Sequence, residues 1–197
     1  RIDVQDYLDR SVKETQISYF LPLSHTNYSC DNKTIIKVKN QTTLAAVQEL
    51  LKIVDKPVAL NFSSPSEPGG GFLRGSRAQE EYLALSSGIW ASLTECPVYF
   101  HSLTDLEYFY KPHFIYLPDV VVFRDDDGQL LENPYTTAII SAPAVRANVI
   151  RQYQPALSNQ INEEMWKRIL SVLYIARKHG HIAIVLGAWG CGDFGNN

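Results

Sequence analysis

Pro68-Gly69-Gly70-Gly71-Phe72-Leu73-Arg74-Gly75-Ser76-Arg77-Ala78-Gln79-Glu80-Glu81 sets three consecutive glycines a short, fixed distance ahead of a Gln-Glu-Glu run. Three glycines in a row are costly in backbone entropy, so a folded chain keeps them where side chains have to be absent, as when a phosphate-bearing ligand lies against main-chain amides. The stretch follows Val58-Ala59-Leu60, whose continuous apolar character predicts a buried strand over 57–62. It runs into Leu83, Leu85, Ile89 and Leu93, spaced for a helix from Gln79 to about Leu93 that packs on a sheet. Strand, glycine loop and helix form the unit of an α/β fold whose ligand site lies at the carboxyl ends of the strands. Two acids arriving as that helix begins are candidates for proton transfer. A backbone anion grip beside carboxylates points to chemistry on a phosphorylated sugar. Phosphoryl transfer would want a Lys and a metal-binding hydroxyl in the loop, and neither is there.

Outward from this unit the alternation of elements continues. Thr34-Ile35-Ile36-Lys37-Val38-Lys39 is alternating and β-branched, which predicts a strand. Thr42 or Thr43 can cap a helix through Leu51, with Leu44, Val47, Leu50 and Leu51 on one face. Strands are predicted at 98–101, 120–123 and 138–141, then a long helix from about Asn162 to His179 that Gly180 ends, and a core strand over 182–187. Residues 1–33 intersperse Asp3, Asp6, Asp9, Arg10, Lys13 and Glu14 with Ile2, Val4, Tyr7, Leu8 and Val12, the spacing of a short amphipathic helix. The expected organisation is an N-terminal helical cover over 1–33 and one α/β domain over 34–197. A second glycine-rich loop, 187–195, also follows a strand directly, and a turn of this kind predicts further elements after Asn197.

Composition narrows the function classes. With 197 residues, 45% of them hydrophobic, the chain can bury one good-sized core. A formal net charge of -3 argues against a protein that holds nucleic acid by neutralising its backbone, so any anionic ligand has to be held locally. Cys30, Cys96 and Cys191 are few, odd in number and widely spaced, which fits free thiols in a reducing, intracellular compartment better than disulfides or a zinc site. No apolar run approaches the about 20 residues of a membrane helix.

Several motifs, taken in order, resemble one family. Asn61-Phe62, Pro68-Gly69-Gly70-Gly71 and Gln79-Glu80-Glu81 look like the signature of the poly(ADP-ribose) glycohydrolases, above all their compact microbial type. Leu117-Pro118-Asp119-Val120, Phe123-Arg124-Asp125-Asp126, Ile140-Ser141-Ala142-Pro143-Ala144 and Leu186-Gly187-Ala188-Trp189-Gly190-Cys191-Gly192 are similar to that group in the same order. The resemblance spans roughly 34–197. It implies a macrodomain: a three-layer α/β/α sandwich with a mixed central sheet, here with the N-terminal helical extension.

The resemblance also implies the reaction, hydrolysis of the ribose to ribose O-glycosidic bond of poly(ADP-ribose), releasing ADP-ribose from the end of the polymer. Glu81 maps onto the catalytic acid and base, and Glu80 onto the residue that holds the distal ribose. No metal and no cofactor is called for, and the partners implied are poly(ADP-ribose) or an ADP-ribosylated protein. Gly69, Gly70, Gly71 and Gln79 on one side, and Gly190, Cys191 and Gly192 on the other, are expected to close on the diphosphate and ribose, with Phe194 packed against the ligand and Asn61 a ribose ligand. Asp193 departs from the small apolar residue expected there, since a carboxylate beside a diphosphate repels it unless it faces solvent. Residues 63–67 also depart from the pattern.

Plainer readings stand beside these. The glycine loop and acids, taken alone, also fit a tight strand-to-helix connection with a solvated first turn. Cys191 has no His tied to it by any motif, so small size in a tight loop accounts for it. His179 and His181 straddle a helix end and read as dipole-favoured rather than as metal ligands. Asp125-Asp126-Asp127-Gly128 lacks the alternate spacing of a calcium loop and reads as a hydrophilic turn. Two other functions share the motifs: an ADP-ribose reader that does not cleave, and a hydrolase of mono-ADP-ribose on a protein or nucleobase.

Overall fold

A computed structural model describes residues 3–19, 33–101, 109–110 and 112–196. A five-stranded mixed sheet runs β1-β3-β4-β2-β5, with β1 Gln16–Tyr19, β2 Val58–Phe62, β3 His113–Arg124, β4 Leu130–Ala142 and β5 Ile184–Val185. Strands β2, β4 and β5 are parallel, so their carboxyl ends share one end of the sheet, while β3 is antiparallel to both β1 and β4. The helices are α1 Gln5–Glu14, α2 Thr43–Leu50, α3 Gln79–Ser86, α4 Ile89–Thr94, α5 Val98–His101, α6 Ala147–Tyr153 and α7 Ile161–Lys178.

Period-two alternation divides the core between the two faces of the sheet. Ile115 and Leu117 of β3 and Ile139 of β4 point toward Leu44 of α2, Leu83 of α3 and Ile89 and Leu93 of α4. Their neighbours Phe114, Tyr116, Ala138 and Ile140 face the other way, with Val58 and Leu60, onto Val172, Ile175 and Ala176 of α7. Each large aliphatic side chain buried this way contributes about 1.5–3 kcal/mol. The result is the expected three-layer α/β/α sandwich. Thr42 caps α2, its hydroxyl accepting from the Ala45 N–H at 3.1 Å.

Four sequence expectations change. The segment 34–39 forms no strand: Ile35, Ile36 and Val38 are 79%, 83% and 94% exposed. Alternation suits a pleat, but a strand also needs a neighbour to close its ladder, and no ladder partner stands beside it among the described residues. Val98–His101 is a helical turn rather than a strand, begun by the Tyr99 N–H bonding to Cys96 O behind Pro97. The helix foreseen over 79–93 breaks into α3 and α4 because Ser87 turns extended and bridges to Val122, while the Gly88 N–H bonds Val121 O. The N-terminal segment supplies a helix, α1, and also β1, an edge strand paired with β3. Ile2, Cys30 and Asn197 lie outside the described residues. The Asp125–Gly128 turn is the β3–β4 connection, where Asp125 Oδ1 accepts from the Asp127 and Gln129 N–H groups.

Candidate active site

The glycine loop, the Pro143–Arg146 segment and the loop after β5 all leave from the carboxyl ends of the parallel strands, where α3 begins. Glu80 and Glu81 sit in the first turn of α3 and are 3% and 8% exposed. The loop between β2 and α3 folds back onto both. Glu81 Oε1 accepts from the Gly71 N–H at 2.9 Å and Oε2 from the Ala78 N–H at 3.0 Å, so both carboxylate oxygens are oriented by main chain. Glu80 Oε2 accepts from the Ser64 N–H at 2.6 Å and Oε1 from Asn61 Nδ2 at 3.2 Å. Burial pushes the Glu80 carboxyl up to about 8, against the Ser64 and Asn61 hydrogen bonds that favour its ionised form, with the Glu81 charge adding to the rise.

Gly70 shows why the loop must lack side chains. Its φ is +62°, and a Cβ there would collide with Glu81 Oε1 and stand 3.2 Å from Glu80 Oε2. A 3₁₀ turn, Phe72–Arg74, then reverses the chain. The Phe72 ring meets the Trp90 ring edge-on at 5.6 Å, and Arg74 pairs with Glu67 across the loop. That pair is exposed, so solvent screens it and it contributes little to stability.

The residues expected at the ligand make hydrogen bonds within the protein. The N–H groups of the glycine loop are spent internally: Gly70 N–H bonds Glu67 O, Gly71 N–H bonds Glu81, and Gly69 N–H acts on Glu80. The loop therefore orients the acids. The Gln79 side chain braces β2: Oε1 accepts from the Phe62 N–H at 2.9 Å, and Nε2 donates to Leu60 O at 2.8 Å and to Thr43 Oγ1 at 3.2 Å. Its polar atoms are used because β2 ends there and needs its backbone groups satisfied. Asn61 is fully buried and reaches Glu80 rather than open solvent.

The second loop is also internally braced. Gly190 has φ +78°, and a Cβ there would approach the Ala144 Cβ to 2.6 Å, so this loop packs directly on the end of β4. Asn196 Nδ2 donates to Val145 O and Gly190 O, and the Asn148 N–H donates to Phe194 O at 3.0 Å. Trp189 Nε1 donates to Ala142 O. The Phe194 ring lies under the Arg146 guanidinium at 5.7 Å and packs against the same core as Trp189. Cys191, Gly192 and Asp193 are exposed at its crest, so the Asp193 carboxylate is solvated.

Tyr116 stacks on His179 at 3.7 Å, and His181 bonds the Tyr116 hydroxyl and Lys56 O, so both ring nitrogens of His181 are occupied. A cavity of about 230 Å³ between α2 and the β3–β4 turn, lined by Leu44, Gln48, Asp126 and Tyr135 among others, holds none of the expected site residues. Among the described residues no three His, Cys, Asp or Glu side chains gather as a metal site would need, and no helix is long and apolar enough to cross a membrane.

The family model described as microbial-type PARG, catalytic domain, matches residues 1–125. The chain belongs to the microbial-type poly(ADP-ribose) glycohydrolases. Among solved structures, the poly(ADP-ribose) glycohydrolase of Thermomonospora curvata superposes with a TM-score of 0.90 at 39% identity, covering 100% of this chain and 73% of that one. The same enzyme bound to the inhibitor ADP-HPD gives 0.88 at 39%, covering 100% and 72%. The Deinococcus radiodurans enzyme in complex with ADP-ribose gives 0.86 at 34%, covering 96% and 79%. No curated protein matches. The macrodomain-like fold and the glycohydrolase activity foreseen from the motifs therefore stand. Sequence reasoning missed Ser64, Ser141 and Tyr99 around Glu80. Ser141 left one signal, a lone hydroxyl inside the apolar run Ile140-Ser141-Ala142.

Proposed function

We propose that this glycohydrolase cleaves the ribose to ribose O-glycosidic bond from the polymer end and releases ADP-ribose, with Glu81 moving the proton. The glycosidic oxygen takes the Glu81 proton as the C–O bond breaks and positive charge develops on the ribose. The Glu81 carboxylate then removes a proton from the water that attacks that carbon, which restores the acid. Glu80 holds the distal ribose, and the loop 190–194 closes over the diphosphate, with Phe194 against the ligand. Binding of ADP-ribose by the Deinococcus enzyme and of ADP-HPD by the Thermomonospora enzyme supports the same ligand class here. Free thiols at Cys96 and Cys191 fit an intracellular setting.

The observation that carries the reading is the pair of main-chain N–H bonds that aims the Glu81 carboxylate beside the glycine loop. The test compares wild type with Glu81→Gln on defined poly(ADP-ribose), following monomeric ADP-ribose. A fall in kcat of about 10²–10⁴ with ADP-ribose binding retained is expected. Equal release by both proteins removes Glu81 from the mechanism, and a wild type that binds the polymer but releases nothing makes the domain a reader.

A further inference from the structure

Behind Glu80 the polar side chains continue into the core. Asn61 and Ser141 face each other in register on β2 and β4, and both are fully buried. Asn61 Nδ2 donates to Glu80 Oε1 at 3.2 Å and to Ser141 Oγ at 2.9 Å, which uses both of its hydrogens. Asn61 Oδ1, Ser63 Oγ and the Tyr99 hydroxyl, all buried, make no hydrogen bond among the described residues. Tyr99, from α5, is 4% exposed, and its hydroxyl lies where Ser141, Ser63 and the Glu80 charge all act on it.

An amide can face either way. With Nδ2 toward Glu80, Asn61 supports an ionised carboxylate and requires Ser141 to accept. With Oδ1 toward Glu80, it can only accept from a protonated carboxyl, and Ser141 must then donate to it. A serine that accepts from Asn61 still has its own hydrogen to place, and the Tyr99 oxygen is the neighbour that can take it.

We infer that Ser141 and Tyr99 are positioning residues for the reaction, fixing through Asn61 whether Glu80 meets the ribose as a hydrogen-bond acceptor or as a donor. The inference rests on the reading of Glu80 as the ribose-holding carboxylate. The groups facing Glu80 are few. The loop gives the Ser64 and Gly69 N–H groups, its own helix gives Glu81, and α5 gives Tyr99, while β2 and β4 present Asn61 and Ser141, neither of which titrates. Burial places the Glu80 carboxyl near neutrality, so a small bias in the amide changes its population.

The titration of Glu80 in the free protein reads this directly, by ¹³C NMR of glutamate carboxyl carbons with Glu80 assigned from Glu80→Gln. Tyr99→Phe, which deletes the oxygen inferred to take the Ser141 hydrogen, should raise the midpoint by about one pH unit, the worth of roughly one hydrogen bond. Ser141→Ala should shift it the same way, and Tyr99→Phe should add nothing in that background, because it acts through the Ser141 hydroxyl. An unchanged or lowered midpoint in Tyr99→Phe, or an equal shift in both backgrounds, overturns the inference. Should Ser141→Ala not fold, Ser141→Cys, a weaker acceptor, takes its place in the cycle. The titration needs no substrate, so its outcome is separate from that of the reaction, which fails only if wild type releases no ADP-ribose.

Discussion

Replacing Glu80 by glutamine should make the fold less sensitive to alkali. The folded protein keeps the Glu80 proton until about pH 8, whereas the unfolded chain gives it up near its ordinary value of 4.5. Between those two values the folded state binds one proton more than the unfolded state, so stability falls as pH rises and levels off above about 8. A glutamine side chain would mimic the neutral acid and carry no such proton. From the two midpoints, wild type should lose about 2–3 kcal/mol relative to Glu80→Gln between pH 5.5 and 7.5. For a domain of this size that is about 5–10 °C in Tm. Paired thermal melts at both pH values measure it as a difference of differences, in which titrating groups not coupled to Glu80 cancel. A Tm gap between the two proteins that stays constant across this range would refute the reasoning, because it would mean that Glu80 ionises alike in folded and unfolded chains.

Three further substitutions separate orienting roles from binding roles. Gly70→Ala should cost about 1–2 kcal/mol for its left-handed backbone and lower kcat at least about tenfold as the new Cβ displaces Glu81. Gly128→Ala, with a similar positive φ and nothing within 4 Å, should show the same strain and keep its kcat; polymer turnover beside urea melts checks both. Gln79→Met strands the Phe62 N–H and should cost about 1–3 kcal/mol in stability while leaving the ADP-ribose Kd within about twofold. A large loss of affinity at unchanged stability would return Gln79 to the ligand.

Much of this molecule is legible in its sequence, and what is hidden has physical causes. Continuous apolar runs such as Val58-Ala59-Leu60 announce strands buried on both faces, and Thr42 and Gly180 mark helix ends by backbone chemistry that acts locally. The motif order placed Glu80, Glu81 and both glycine loops at one end of the sheet, since each follows a strand of the same direction. Thr34–Lys39 misleads because pairing is not local: its pattern says only that it would pleat if a neighbour stood beside it. Gln79 misleads for the opposite reason. Its position beside two acids suggests chemistry, but the strand end at Phe62 competes for its amide, and that competition depends on how far the loop brings α3 back to β2. The Asn61–Ser141 pairing depends on strand register across 80 residues, which no local pattern encodes.

In the proposed mechanism one carboxyl, Glu81, serves as acid and then as base, and the way the glycine loop is spent bears on how it would do so. Each Glu81 oxygen accepts one main-chain N–H, from Gly71 and from Ala78. A carboxyl oxygen has two lone pairs, so each oxygen keeps one free and can carry or receive a proton without releasing its N–H. The carboxyl can therefore donate to the glycosidic oxygen and later take a proton from water with its side chain held in one place. A side chain that had to swing between the two steps would give up the orientation on which its rate depends. If Glu81 moves the proton as proposed, the triple glycine would matter to the reaction in this sense: it lets bare backbone come close enough, at Gly70 and Gly71, to hold the carboxyl still while its charge changes.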